Sequence, residues 1–183
     1  MNDRVRRILT STHAAYVVIL IASVWLIYLF GFREMRFFMV PSSSMAPTLQ
    51  RGDQIVTLNQ EDYARGDIVV LHLPDEGRYI VKRIVGMPGD QLAIREGALY
   101  LGGRYASEPY IAEPMQYVVK PPVTVPEGRI YVLGDNRNAS ADSSVDLGTL
   151  PLEDVVGKVR YVYYPYARWG TLRSYPLTNV AGE

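Results

Sequence analysis

Two stretches of the chain hold residue types that can do covalent chemistry together. The first is Val40-Pro41-Ser42-Ser43-Ser44-Met45-Ala46-Pro47-Thr48-Leu49, three consecutive serines between two prolines. Serine is a weak nucleophile alone; it needs a base within hydrogen-bond reach and donors for the developing oxyanion. The second is Tyr79-Ile80-Val81-Lys82-Arg83-Ile84-Val85-Gly86-Met87-Pro88-Gly89-Asp90, which sets Lys82 inside an apolar, β-branched run. A lysine acts as a base only when neutral. With an ordinary pKa near 10.4, roughly one lysine in a few thousand is neutral at pH 7. Desolvation among neighbours such as Ile80, Val81, Ile84 and Val85 can lower that pKa by up to ~3–5. Each stretch also has an ordinary reading. Three serines between prolines make a hydroxyl-rich turn. Period-2 alternation puts Lys82 on the face of Ile80 and Ile84, and on a solvated face it would be a plain strand lysine.

Other chemistries find little material. There are no cysteines, which excludes disulfide scaffolds, thiolate metal sites and a cysteine nucleophile. The two histidines, His13 and His72, lie far apart and in no metal-spacing motif. His13 borders a long apolar segment, so a histidine triad would have only His72 to use. The formal net charge is zero, which offers no case for nucleic acid.

The elements that must position these residues follow from the hydropathy pattern. At 183 residues, 48% of them hydrophobic, the chain has room for one domain plus an anchor. Met1–His13 is short and basic, and Ala14–Phe32 follows without a charge. At ~1.5 Å per residue this run makes a helix of ~28 Å, close to the ~30 Å hydrocarbon core of a bilayer. It ends in Leu29-Phe30-Gly31-Phe32-Arg33 with no small-residue cleavage site, so an uncleaved signal anchor is expected. Three arginines precede the run, while Arg33 and Arg36 follow it, a slight bias toward a cytoplasmic N-terminus.

From residue 33 to 183 the pattern is β. Strands are expected over Gln54–Leu58, Asp67–Leu73, Tyr79–Val85, Gln91–Arg95, Ala98–Leu101, Tyr117–Val119, Arg129–Leu133 and Val155–Tyr164, punctuated by Gly, Pro, Asp and Asn. Glu96-Gly97 reads as a tight hairpin turn, and Pro121-Pro122 with Pro126 as a stiff loop. The expectation is an all-β domain of short antiparallel strands. The aromatic run from Tyr161 to Trp169 is expected either to pack into the core or to form a rim against lipid headgroups.

Four blocks, in order, resemble the type I signal peptidases, membrane-anchored Ser–Lys proteases. Residues 41–49, PSSSMAPTL, are similar to that family's nucleophile box, and Arg65–Leu71, RGDIVVL, to the strand that follows. Lys82–Asp90, KRIVGMPGD, resembles its lysine box, and Gly134–Ser143, GDNRNASADS, its last box. The resemblance implies Ser44 as nucleophile and Lys82 as general base. It also implies the Ser44 backbone N–H and the Ser42 hydroxyl as oxyanion donors, with Ser140 and Asp142 supporting the lysine.

By the same resemblance, shallow apolar subsites come from Phe38, Val40, Met45, Leu49, Ile55, Val70, Ile80 and Val81. The implied substrates are the signal peptides of exported preproteins, with small residues at −1 and −3, bound as an added strand. No cofactor and no metal are implied. The catalytic domain would lie on the outer face of the cytoplasmic membrane, held by a single span. Two departures stand out. The family often has glycine where this chain has Ser43, and a turn needing φ > 0 would suit serine poorly. The pattern GDNRDNSxDSR becomes Asn138, Ala139 and Ser144 here, so Asp142 loses its expected arginine; Arg83 and Arg137 are the nearest replacements in sequence. A self-cleaving Ser–Lys protease and a catalytically silent, membrane-tethered peptide-binding β domain are the competing readings.

Overall fold

The computed structural model describes residues 3–31, 35–60 and 62–177. The chain separates into two units, Met1–Met35 and Arg36–Glu183. In the first, helix α1 covers Asp3–Gly31. Its side chains from Tyr16 to Leu26 are exposed, Tyr16 by 70% and Leu20 by 64%. Among the described residues no helix is long and apolar enough to cross a membrane. The span expected over Ala14–Phe32 reaches beyond them, because Phe32 lies outside the described residues.

The second unit is built from short strands, as the turn residues require. These are β1 (Met35–Met39), β2 (Gln54–Leu58), β3 (Ile68–Leu73), β4 (Arg78–Gly86), β5 (Gln91–Arg95) and β6 (Ala98–Leu101). There follow β7 (Arg104–Tyr105), β8 (Val119–Thr124), β9 (Arg129–Leu133), β10 (Leu150–Pro151), β11 (Val155–Tyr164) and β12 (Gly170–Thr171). The large sheet runs β1-β2-β11-β3-β4-β9-β10, with β12 added to β11, and the small one β7-β6-β5-β8. Every pairing whose register is resolved is antiparallel. The hairpin at Glu96-Gly97 has positive φ at both residues, 53° and 75°, which matches the twist of the strands it joins.

Two sequence expectations need correction. Pro121 and Pro122 are not in a loop; they lie within β8, at the edge of the small sheet, where a missing N–H costs no ladder bond. The strand expected over Tyr117–Val119 therefore begins only at its last residue. The aromatic run at the end of β11 is not core either: Tyr161, Tyr164, Tyr166 and Trp169 are 44–77% exposed.

Three buried clusters hold the unit together. One seats the small sheet through Leu92, Ile94, Leu99 and Leu101 against Val85, Tyr131 and Leu133. A second gathers Val40, Met45, Leu49, Ile55, Val70 and Val81, joining the serine segment to β2, β3 and β4. The third packs Leu71, Ile80, Ile84, Ile130 and Val132. The middle cluster matters most for chemistry, since it fixes the serine turn against the strand that carries Lys82.

Candidate active site

The serine segment leaves the sheet after β1 and turns back at once. Val40 N–H donates to Asp53 O at 2.8 Å, and Gly52 N–H returns to Val40 O at 2.9 Å. Ala46 N–H donates to Ser43 O at 3.0 Å, closing the turn beyond the serines. Met45 and Leu49 plug it into the core, exposed by 1% and 0%. Among the described residues Glu96 is the one non-glycine with positive φ. Ser43 therefore sits in ordinary backbone geometry, and the turn does not call for glycine.

Strand β4 carries Lys82 to the serines. Between Ile68↔Arg83 and Leu73↔Arg78 it is fully paired with β3, but β9 covers its other edge only from Arg83 onward. The stretch from Arg78 to Lys82 thus presents one open edge. That edge and Val40–Met45 form opposite walls of a cleft of about 500 Å³, with Ala139 and Ala141 completing it. In this cleft Lys82 Nζ lies 2.9 Å from Ser44 Oγ. Lys82 is 4% exposed and Ser44 9%. Burial pushes the Lys82 ammonium down from its ordinary 10.5 to about 8; Arg78 adds to the fall, while Asp142 and Asp135 oppose it. The desolvated alternative for this lysine, rather than the solvated one, is the one realised.

Ser42 Oγ lies 3.2 Å from Ser44 Oγ and 3.5 Å from the Ser44 backbone nitrogen. The Ser42 hydroxyl donates to Ser44 Oγ and accepts from the Ser44 N–H, so the two groups expected as oxyanion donors lie side by side and bond to each other here. His72, the other base the sequence offers, packs against Tyr79 with ring centroids 4.9 Å apart and planes tilted by 40°, and it does not line the cleft.

The loop after β9 backs the serines from behind. Asn136 N–H donates to Ser44 O at 3.0 Å, and its side-chain amide donates to Ser43 O at 3.2 Å. Gly134 packs so close that a Cβ there would lie inside 3.0 Å of both Ser44 O and Ser140 Oγ. Gly134→Ala must therefore push both the Ser44 backbone and the Ser140 side chain. The expected result is a fall in kcat of roughly 10²-fold, the usual cost of ~1 Å misplacement; steady-state kinetics on the folded variant check it.

Asp142 is fully buried and pairs with neither arginine. Its carboxylate accepts from Gly134 N–H at 3.0 Å, Ser144 N–H at 3.1 Å and Ser144 Oγ at 2.7 Å. Ser144 supplies a hydroxyl where the family pattern supplies a guanidinium. Arg83 instead donates to Asp135 at 2.8 and 2.6 Å, and Arg137 to Glu108 at 2.7 and 2.5 Å. Ser140 Oγ is buried without a hydrogen-bond partner among the described residues.

Of the expected subsite residues, Val40, Met45, Ile80 and Val81 line the cleft. Phe38 packs half-buried against Tyr79 at 5.3 Å. Leu49, Ile55 and Val70 are 0% exposed and form the layer beneath, so they shape the walls without reaching them. Sequence reasoning placed Gly134, Asp135 and Asn136 in the last family-like box but gave them no role at the site. Their signal was present in the Gly-Asp-Asn run, which reads equally as a polar turn. Among the described residues no cluster of three or more His, Asp or Glu is placed to hold a metal ion.

Comparison with known proteins points to one family. The family profile for signal peptidase, peptidase S26, matches residues 10–164. A probable signal peptidase I-1 of Synechocystis is 38% identical over 148 residues, covering 74% of either chain. Signal peptidase I U of Bacillus subtilis is 36% identical over 141 residues, covering 70% of this chain and 75% of its own. A crystal structure of a signal peptidase I from Enterococcus faecalis, 31% identical, overlaps 55% of this chain and 98% of its own with a TM-score of 0.49. The profile match over residues 10–164, with relatives 36–38% identical over about three quarters of their own length, makes this protein a member of the signal peptidase family, peptidase S26, and an enzyme of the signal peptidase I type.

Proposed function

We propose that the chain is a membrane-bound serine endopeptidase that removes signal peptides from exported preproteins by cleavage after small residues. The observation that carries this reading is the 2.9 Å contact between Lys82 Nζ and Ser44 Oγ inside a largely apolar cleft. Neutral Lys82 accepts the Ser44 proton as Ser44 Oγ bonds to the scissile carbonyl carbon. The oxyanion forms against the Ser44 N–H and the Ser42 hydroxyl. As the C–N bond breaks, the Lys82 ammonium gives its proton to the leaving amine. Water, deprotonated by Lys82, then hydrolyses the acyl ester and frees Ser44.

The open edge of β4 offers unpaired backbone groups to an extended peptide, and Val40, Met45, Ile80 and Val81 offer it shallow apolar contacts. Such walls accept alanine and exclude larger side chains by overlap. The charge-free run 14–32 serves as a single signal anchor, with residues 1–13 cytoplasmic and residues 33–183 exported as the catalytic domain. Ser140 and Asp142 support the lysine, Asp142 through the turn it caps.

The test is cleavage of one exported preprotein by the detergent-solubilised full chain, with the new N-terminus read by mass spectrometry. Absence of a cut after a small residue defeats the reading. Protease protection of the same chain in membranes tests the anchor, and a catalytic domain shielded on the cytoplasmic side defeats that part. The pH dependence has a definite sign. Lys82 is active when deprotonated, so kcat/KM rises through about pH 8 and falls roughly tenfold per pH unit well below it. A flat profile between pH 6 and 9, with chemistry shown to be rate-limiting, contradicts a titrating lysine base.

A further inference from the structure

Arg78 opens β4 and lines the same cleft as Ser44 and Lys82. Lys82 and Arg78 are the charged side chains among the residues that line it. Lys82 must be neutral to work, so in the active state the sign of the cleft is set by Arg78. Its partner, Glu76, lies outside the lining, and the pair is exposed, 52% and 43% for the two side chains. An ion pair that exposed holds its members weakly, and a substrate group can replace Glu76 at little cost.

The length of the free edge sets how far along a bound peptide this charge lies. The free edge of β4 runs from Arg78 to Lys82 and closes at Arg83, where Leu133 of β9 pairs with it. A peptide adding to that edge with its scissile carbonyl at Ser44 extends only toward Arg78. Four residues at ~3.3 Å separate Lys82 from Arg78, about 13 Å along the strand. With the N-terminal side of the peptide laid along this edge, residues near −5 pass the guanidinium.

We infer that Arg78 is a specificity-determining residue, which disfavours lysine and arginine at positions −4 to −6 of the substrate and favours aspartate and glutamate there. This rests on the signal peptidase reading above. Arg78 also acts on the base from the same position: its charge helps to lower the Lys82 pKa, against the buried carboxylates Asp142 and Asp135. One side chain thus biases both the substrate and the dyad.

The experiment uses the full chain in non-ionic detergent at one fixed pH. The substrates are peptides with alanine at −1 and −3 that differ only in carrying Asp, Asn or Lys at −4, −5 or −6. The wild type, Arg78→Gln and Arg78→Glu are compared by the ratio of kcat/KM for Asp over Lys, in which any change in the base itself cancels. The wild type should prefer Asp roughly three- to fivefold at the most sensitive position, the scale of an exposed ion pair. Arg78→Gln should bring the ratio to about one, and Arg78→Glu should invert it. In ~1 M salt, where screening acts within ~3 Å, the wild-type preference should collapse. A ratio constant within about twofold across all three enzymes and all three positions overturns the inference while leaving the enzyme reading intact, provided the Asn peptide is cleaved. Failure of the wild type to cleave the Asn peptide overturns the enzyme reading and this inference with it.

Discussion

Ser44→Ala and Lys82→Met should each abolish turnover, lowering kcat/KM by about 10³-fold or more, and the double variant should be no worse than either. Groups that act as one unit lose their whole contribution when either is removed. Here the unit is a single contact, Lys82 Nζ to Ser44 Oγ at 2.9 Å, and His72, which does not line the cleft, offers no substitute base. Lys82→Arg should be equally inactive, because a guanidinium does not deprotonate in this range. Turnover like the wild type from either purified single variant would remove the dyad from the mechanism.

The same substitution should change stability in the opposite direction. Lys82 is protonated in the unfolded chain up to about 10.5 but in the fold only up to about 8. Below pH 8 the native state must hold a buried ammonium, so the penalty is present in full. It fades between pH 8 and 10.5 and is absent above. Lys82→Met, of similar length and uncharged, should therefore melt at a higher temperature than the wild type at pH 7, with the gain gone by pH 11. A fall from 10.5 to about 8 corresponds to roughly 3 kcal/mol at most. Thermal melts at the two pH values measure it, and an unchanged or lower melting temperature at pH 7 would mean that the ammonium is not held at a cost.

Asp135→Ala should give the largest loss of stability of any single change near the site, about 3–5 kcal/mol. Asp135 is 1% exposed and accepts from Arg83 Nε at 2.8 Å, Arg83 Nη2 at 2.6 Å and Thr48 Oγ1 at 2.5 Å. Removing it strands a fully buried guanidinium left with Gly66 O at 2.7 Å and the rings of Tyr110 at 3.9 Å and Tyr175 at 5.8 Å. The carboxylate also joins two pieces of the site. Thr48 belongs to the serine segment, and Arg83 adjoins the lysine on β4. Activity should fall together with stability even at temperatures where the variant stays folded, because the two walls lose their common anchor. Replacing both partners by apolar residues, Asp135→Leu with Arg83→Met, removes the stranded charge and should melt above Asp135→Ala alone. Urea unfolding at 25 °C checks both orders; a single variant within 1 kcal/mol of the wild type would make the pair dispensable.

Much of the site was legible before any fold, from local chemistry that marked two stretches and from a family resemblance that singled out residues within them. A serine triplet between prolines and a lysine among β-branched residues are unusual locally, and the two positions Ser44 and Lys82 do meet. The strands were legible for the same local reason: alternating runs end where Gly, Pro, Asp or Asn permits a turn, and Gln54–Leu58, Gln91–Arg95, Ala98–Leu101 and Arg129–Leu133 lie where periodicity puts them. Pro121 and Pro122 misled because a proline's tolerance depends on whether its strand is an edge, and edges exist only in the assembled sheet.

Pairing belongs to tertiary structure. Sequence distance made Arg83 and Arg137 natural partners for Asp142, yet each turns to a nearer acid in space, Asp135 and Glu108, and Asp142 is satisfied by Gly134 and Ser144. Sequence shows which groups carry charge, but not which way each side chain leaves its strand. The subsites illustrate the same limit. Leu49, Ile55 and Val70 are apolar residues of the right kind, and only packing decides that they lie behind the cleft wall while Val40, Met45, Ile80 and Val81 form it. The sequence by itself determined a β framework, through local periodicity and turn residues, and singled out Ser44 and Lys82 as candidate nucleophile and base through its resemblance to a family. Tertiary structure alone decided the open edge of β4, the burial that lowers Lys82 and the close approach of Gly134 to Ser44 O, because each depends on segments far apart in the chain being packed against one another.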